Sequence, residues 1–328
     1  MTDLTTTYMG IPLTSPLVVA ASSISGMIDR VRLAEQAGAG ALVIRSLFEE
    51  QIQVDALKME ENLQVGAESY AEASSYFPDI HPGAAEEHLH WIEKTRAAVQ
   101  IPLIASLNAA APGSWVRYAR QLEATGVNGL ELNVYAVAAD PRRAAGQIES
   151  ELLDIVGAVR GETKLPLAVK LSPFYTSVSH VAHALDGLGI DGLVLFNRFV
   201  QPDIDPATET LVTEMVLSTP DELRLPLRWT ALLYGRVRAQ IALSTGVHSG
   251  LDAAKALLAG AQVVQTASAL LQHGIPYLST MLRQLDGWME EHSYRQLKDF
   301  RGKLSQKESP NPLAYERAQY VRLLTSQK

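Results

Sequence analysis

The sequence predicts an α/β protein, a (β/α)₈ barrel (TIM barrel) with insertions at its C-terminal face. Apolar runs of strand length recur along the 328 residues, and each is followed by a segment with the apolar spacing of an amphipathic helix. Strict alternation of strands and helices indicates a parallel sheet, and eight repeats in a chain of this length favour closure into a barrel. We expect residues 1–328 to form a single domain.

Eight segments read as buried parallel strands, and several of them begin after proline. The predicted strands are Pro16–Ser22, Ala41–Ser46, Pro102–Asn108, Gly129–Val134, Pro166–Ser172, Gly192–Arg198, Ile241–Val247 and Gln262–Ser268. Eight amphipathic helices follow, several of which end at glycine before the next strand. The predicted helices are Met27–Ala37, Ala85–Val99, Trp115–Thr125, Arg143–Arg160, Ser177–Leu188, Ser218–Arg238, Ser249–Leu258 and Pro276–His292.

Two segments stand apart from the barrel pattern, and the first of them is too long for an ordinary connection between a strand and a helix. Phe48 to Gly83 follows the second predicted strand, and Phe199 to Trp229 follows the sixth. Because both follow strands, both are expected at the C-terminal face, where insertions often cover an active site. For Phe48–Gly83, a solvated surface excursion is an equally weighted alternative.

Composition excludes several classes of function. A net charge of −8 and the absence of a basic stripe argue against nucleic acid as a partner. No apolar run has the length of a membrane span, and the N-terminus lacks the pattern of a signal peptide, so we expect a cytoplasmic protein without membrane contact. The chain contains no cysteine. No histidine pair has metal-ligand spacing, since His88 and His90 point to different faces of one helix, and no metal site is expected.

The segment Ile241 to Leu270 carries the strongest functional signal. It reads as strand, glycine turn, helix, strand and small-residue turn, with Ser249 as helix N-cap and Gly260 at the helix end. The two strands end in Thr245-Gly246-Val247 and Ala267-Ser268, where small residues let backbone N–H groups approach a ligand. At the last two strands of a (β/α)₈ barrel this pattern is typical of a phosphate site. Tight turns chosen only for packing are the alternative.

Residues at the other strand ends should complete the site, because this fold carries function at its C-terminal face. They include Asn108, Asn133 and Asn197, whose amides both donate and accept hydrogen bonds. Lys170 ends a central strand and would point into the barrel mouth, where an isolated ammonium is costly unless it faces an anion or ligand. Pairing with a nearby carboxylate is the alternative for this lysine.

These residues resemble the dihydroorotate dehydrogenase family, particularly its class 1 branch. The resemblance rests on Ala20-Ala21-Ser22, Arg45-Ser46, Glu131-Leu132-Asn133, Val169-Lys170-Leu171 with Pro173, Asn197, the two phosphate turns and the segment Tyr294–Gly302. It covers most of the chain. Each motif alone is weak, and their combination is specific.

The resemblance implies a flavin oxidoreductase of pyrimidine biosynthesis that binds FMN in the barrel mouth. The implied cofactor-binding residues are Ala20, Ala21, Ser22, Arg45, Ser46, Asn108, Asn133, Lys170, Asn197, Thr245, Gly246, Val247, Ala267 and Ser268. Lys170 is implied as a catalytic residue that reaches the flavin near N1 and stabilises the reduced form. The substrate would contact Asn133 and Asn197, and the arginines Arg198 and Arg228 indicate a more anionic substrate or an extra carboxylate clamp. Packing alone is an equally weighted reading of Arg228.

The sequence departs from the family where the family keeps its catalytic base. Class 1 has cysteine three residues after the asparagine of the fourth strand, and this chain has Ala136 there; a second substrate asparagine is replaced by Ala138. A methyl group cannot accept a proton, so turnover of dihydroorotate is not expected. Tyr135 is the nearest titratable side chain in sequence and is the candidate base.

Alternatives to this function remain open at the level of the sequence. One is a phosphate-binding lyase or isomerase that uses Lys170 as an amine nucleophile. The other is a non-catalytic, flavin-bearing subunit that passes electrons to a partner. The expected partners are a small-molecule substrate and, as open options, an electron-acceptor protein and a second copy of the chain in a homodimer.

Overall fold

The protein forms a closed barrel of parallel strands with helices on its outside. The computed structural model describes residues 2–48, 50–51, 83–109, 115–134, 137–316 and 324–325. Thirteen strands are defined in these ranges: β1 Thr6–Tyr8, β2 Ile11–Leu13, β3 Leu17–Val19, β4 Ala41–Val43, β5 Leu47–Phe48, β6 Leu103–Ala109, β7 Gly129–Val134, β8 Leu167–Leu171, β9 Gly192–Leu195, β10 Asp203–Asp205, β11 Thr210–Val212, β12 Gln240–Ser244 and β13 Val263–Thr266.

Helices follow the barrel strands. Over the described residues they are α1 Ile28–Gln36, α2 Ala84–Ala98, α3 Trp115–Ala124, α4 Ala145–Glu162, α5 Val178–Gly187, α6 Arg224–Leu233, α7 Gly250–Ala259, α8 Ser268–His273, α9 Tyr277–Glu291 and α10 Leu313–Glu316. Short 3₁₀ helices cover Ser23–Gly26, Pro220–Leu223 and Leu297–Asp299.

Strand pairing closes the barrel and confirms the predicted fold class. The order runs β4, β3, β13, β12, β9, β8, β7 and β6, and β4 pairs with β6 to complete the ring. β4 and β5 act as one interrupted strand, since they pair with the two ends of β6. The interruption arises at Arg45, whose N–H donates to the Ser25 hydroxyl at 2.8 Å.

The N-terminal hairpin, β1 and β2, closes the bottom of the barrel. Its side chains Tyr8, Met9, Ile11 and Leu13 are buried in one cluster with inward-facing strand residues such as Val18. Gly192 makes room for this plug, because a Cβ there would lie 2.7 Å from the Tyr8 hydroxyl. The plug leaves only the C-terminal end of the barrel open for chemistry.

One prediction about the sixth barrel repeat is wrong in detail, and one element of it was missed. The helix predicted over Ser218–Arg238 begins only at Arg224 and ends at Leu233, because a separate 3₁₀ helix occupies Pro220–Leu223 and Gly235 follows with φ +75°. The segment after β9 also contains the antiparallel hairpin of β10 and β11, which the sequence analysis did not identify. Most of the Phe48–Gly83 insertion lies outside the described residues. Over all the residues that the structure describes, no helix is both long enough and apolar enough to cross a membrane.

Candidate active site at the C-terminal end of the barrel

A buried polar layer lies above the apolar plug of the barrel. Lys170 Nζ donates to Glu131 Oε1 at 3.2 Å, and Gln265 Nε2 donates to Glu131 Oε2 at 2.6 Å. Glu131 and Gln265 are each only 1% exposed. Burying one carboxylate is tolerable only because an ammonium and an amide satisfy it. The alternative considered for Lys170, pairing with a carboxylate, is therefore realised inside the barrel.

A cavity of about 160 Å³ opens above this layer and collects many of the predicted site residues. Its lining includes Ala20, Ala21, Lys170, Asn197, Arg198, Thr245, Gly246, Val247, Ala267 and Ser268. These residues come from five different strand ends, as expected for the active face of this fold.

The turn after β12 presents backbone donors to this cavity. Thr245 and Gly246 both have positive φ, +82° and +75°, a conformation that is unusual for threonine. The amides of His248, Gly250 and Asp252 are already bonded to side chains of the chain. The N–H groups of Gly246 and Val247 make no hydrogen bond to any other described residue. Two free backbone donors at a strand end can bind an anion.

A row of amides continues the site across the barrel mouth. Asn108, Asn133 and Lys170 occupy the same level on three neighbouring strands, β6, β7 and β8. Asn133 is 8% exposed, and its Oδ1 is buried without a hydrogen-bond partner among the described residues, as is Oε1 of Gln265. Buried acceptors without partners are rare and usually indicate a missing ligand or water.

Other predicted residues lie around the cavity without lining it. Ser22 caps the 3₁₀ helix Ser23–Gly26, and the Ser46 hydroxyl is 2.7 Å from the hydroxyl of Ser106 inside the barrel. Arg45 is exposed. Arg228 is also exposed, on α6, so the structure does not bring it to the cavity. Tyr135 and Ala136 lie outside the described residues.

His88 fixes the strand end that carries Arg45. Its Nε2 donates to the Arg45 carbonyl at 2.9 Å, and its Nδ1 accepts from the Tyr118 hydroxyl at 2.7 Å. His90 on the same helix is exposed, in agreement with the prediction that the two histidines point to different faces of the helix. Burial lowers the pKa of His88, and this outweighs the hydrogen bond to Arg45, which raises it.

His88 should make stability depend on pH below neutrality. A base whose pKa is lower in the folded state binds fewer protons there than in the unfolded chain, where its pKa is about 6.5. Its contribution is therefore complete above about pH 6.5 and is lost as the pH falls from there through the folded pKa. We expect His88→Gln to lower the free energy of unfolding by about 1–3 kcal/mol at pH 8 and to flatten its decline below pH 6.5, as measured by urea denaturation. His90→Gln is the matched control, and an identical pH profile in both variants would contradict the assignment.

The sequence analysis missed the partners that neutralise Lys170. Glu131 entered only as part of a motif, and Gln265 was not singled out. A signal for both exists, because each is a polar residue in an otherwise apolar run. Glu131 also lies two residues before Asn133 and thus on the same face of the strand.

A larger cavity of about 910 Å³ lies beside the site, between α4 and the segments after β8 and β9. Its walls are mostly apolar and include Phe174 and Phe199, whose ring centroids are 5.7 Å apart. It contains neither Lys170 nor the turns after β12 and β13, all of which line the smaller cavity. We therefore assign the site to the smaller cavity on chemistry rather than size.

Comparison with known proteins agrees with this architecture. A family model described as dihydroorotate dehydrogenase matches residues 81–289. A putative dihydroorotate dehydrogenase A (fumarate) of Aeropyrum pernix is 31% identical over 219 residues, 64% of this chain and 70% of the relative. The catalytic subunit of dihydroorotate dehydrogenase B (NAD(+)) of Methanothermobacter thermautotrophicus is 25% identical over 91% of this chain and 97% of the relative.

A relative with another name also matches. The chloroplastic dihydropyrimidine dehydrogenase (NADP(+)) of Arabidopsis thaliana is 24% identical over 58% of this chain and 49% of that protein. The match of the family model runs from the start of α2 through β13 and into α9, and so includes Lys170 and the turns after β12 and β13. This chain belongs to the dihydroorotate dehydrogenase family of flavin oxidoreductases.

Proposed function

We propose that the protein is an FMN-dependent oxidoreductase that acts on a CH–CH bond of a small anionic or pyrimidine-like substrate. The observation that carries the proposal is the barrel mouth itself. There, the N–H groups of Gly246 and Val247, which bond to no other described residue, line a cavity together with Lys170. Asn133, beside Lys170 on the neighbouring strand, has a buried Oδ1 without a partner among the described residues. An anion-binding end and an amide-rich end are what a phosphorylated flavin and a pyrimidine-like ring require.

The residues present fit FMN. Gly246, Val247, Ala267 and Ser268 would hold its phosphate, and Asn133, Lys170 and Asn197 would hold the ring and the substrate. When bound, FMN supplies the redox chemistry by accepting two electrons from the substrate. The role of the chain is to orient both molecules, to place a cation beside the ring and to keep water out of the barrel mouth. The names of the relatives support a dihydropyrimidine as the substrate class.

The lyase alternative is less well supported by the contacts of Lys170. An amine nucleophile must be unprotonated and free to attack. The Lys170 ammonium instead donates to the Glu131 carboxylate at 3.2 Å, the arrangement of a fixed cation. The electron-transfer alternative shares the FMN site, and the relatives named as catalytic subunits support a partner protein that takes up electrons.

The visible spectrum of the purified protein tests the proposal. Protein loaded with excess FMN and then desalted should be yellow, with roughly one flavin per chain. Candidate dihydropyrimidines should then bleach the flavin absorbance without oxygen. A chain that retains no FMN would overturn the proposal, and a colourless chain that borohydride traps on a carbonyl substrate would favour the lyase.

Lys170 and Glu131 should shift the midpoint potential of bound FMN in opposite directions. A cation near the ring favours the more negative, reduced form, and a carboxylate disfavours it. We expect Lys170→Met to lower the potential and Glu131→Gln to raise it, each by an amount on the order of tens of millivolts, measured by dye-equilibrated reduction. Shifts in the same direction would show that the pair acts only through the shape of the cavity.

A further inference from the structure

Arg198 joins the end of β9 to the segment that follows the β10–β11 hairpin. Its Nε donates to Glu222 Oε2 at 2.8 Å, its Nη2 is 3.4 Å from Glu222 Oε1, and its Nη1 donates to the Val216 carbonyl. Glu222 Oε1 also accepts from the Thr219 N–H at 2.9 Å. One guanidinium thus holds both ends of residues 216–222. We call residues 216–219 the bridging segment.

The bridging segment contacts both phosphate turns. The N–H of Ser218 donates to the Ser268 hydroxyl at 3.1 Å, after β13, and the Ser218 hydroxyl lies 3.2 Å from His248 Nε2, after β12. The 3₁₀ helix beyond it packs directly on Gly246, since a Cβ there would lie 2.2 Å from the Leu223 nitrogen. The spacing of the two turns therefore depends on where this segment is held.

We propose that Arg198 is a positioning residue for the anionic end of the cofactor, and that it acts through Glu222 by holding the bridging segment against both phosphate turns. This inference rests on the proposed function. It gives Arg198 a role other than the predicted substrate contact, because Nε, Nη1 and Nη2 of its guanidinium are each directed at Glu222 or at the Val216 carbonyl. A preassembled site binds more tightly because less ordering remains to be done when the ligand arrives.

The state of Glu222 agrees with a lasting ion pair. Burial raises the pKa of this carboxyl, but hydrogen bonds from Arg198 and from the Thr219 N–H outweigh burial and hold it below its ordinary value. Both side chains keep about a third of their surface exposed, at 33% and 35%. The contact therefore serves geometry more than overall stability, since exposed ion pairs contribute little to folding.

The experiment compares the binding of FMN with that of riboflavin, which lacks the phosphate. We expect Arg198→Gln and Glu222→Gln each to weaken FMN binding by roughly fivefold to tenfold, measured by quenching of flavin fluorescence, while riboflavin binding changes less than about twofold. The double variant should bind FMN about as tightly as the single variant with the lower affinity, because both substitutions break the same Arg198–Glu222 contact. A defect in folding alone would weaken both ligands equally.

Matched controls come from the neighbouring exposed ion pair. Asp221 and Arg224 are 3.5 Å apart, with side chains 88% and 86% exposed. Asp221→Asn and Arg224→Gln remove the same charges nearby and should leave the affinity for FMN unchanged. If Glu222→Gln leaves FMN binding unchanged or tightens it, Arg198 does not act through Glu222 and the inference is overturned. A wild-type chain that binds no FMN would overturn the proposed function itself, whereas normal FMN binding by Arg198→Gln would overturn only this inference.

Discussion

Replacing Glu131 by glutamine should lower the free energy of unfolding of the cofactor-free protein by about 3–5 kcal/mol. The carboxylate is 1% exposed and binds both Lys170 Nζ and Gln265 Nε2. Its removal leaves a buried ammonium without a counter-charge and weakens the hydrogen bond of the glutamine. Urea denaturation at pH 7 measures the loss, with the slope of the transition as a check that the folded state stays compact.

The double variant Glu131→Leu, Lys170→Met decides whether the loss comes from the unpaired charge. If it does, removal of both charges should recover most of the stability, because an apolar pair of similar volume replaces the ion pair without desolvating a charge. Part of the loss in stability should remain, because the Gln265 amide loses its hydrogen bond to the carboxylate. If the double variant instead loses as much stability as Glu131→Leu and Lys170→Met lose together, each side chain is needed for packing.

Turnover of dihydroorotate should be at least about a hundredfold slower than in relatives that have the cysteine base, because the resemblance implies that Ala136 stands at that position. Loss of a positioned base slows the removal of the proton even when the substrate binds. Stopped-flow reduction of bound FMN by dihydroorotate without oxygen measures this step directly. Fast reduction in the unmodified chain would show that another residue serves as the base.

The variant Ala136→Cys separates loss of the base from a rebuilt pocket. If the methyl group alone silences the reaction, the thiol should restore reduction of the flavin by dihydroorotate. We expect no rescue, because the same resemblance implies that Ala138 replaces a second substrate asparagine. Other dihydropyrimidines should then be tested on both proteins, and a substrate that reduces both equally would show that position 136 takes no part in its reaction.

Short-range patterns were enough to predict the barrel. The strand Gly129–Val134 has the predicted bounds, and most others differ by a few residues at their ends. The cap of α7 also agrees, since the Ser249 hydroxyl accepts from the Asp252 N–H and Gly260 ends the helix with φ +118°. Periodicity, caps and turns depend on neighbours within a few residues, and these are visible in the sequence.

The residues grouped at the cavity follow from the topology once a barrel is assumed. Parallel strands end at the same edge, so Lys170, Asn197, Gly246 and Ala267 had to meet there. Their roles towards FMN and the substrate stay predictions, and Tyr135 stays one outside the described residues. Arg228 is exposed on α6 and does not line the cavity, and its contact with a substrate also stays a prediction.

The sequence by itself determined that eight strands alternate with helices, where the small-residue turns after two of them lie and which lysine ends a central strand. Only the tertiary structure decided what neutralises that lysine and what Arg198 holds. Glu131 is 39 residues from Lys170 and 134 from Gln265, and Glu222 is 24 residues from Arg198. Pairing at such separations depends on strand tilt and on the path of the insertion after β9. The sequence contains several carboxylates that could pair with each cation, so only the folded arrangement of the chain decides which one does.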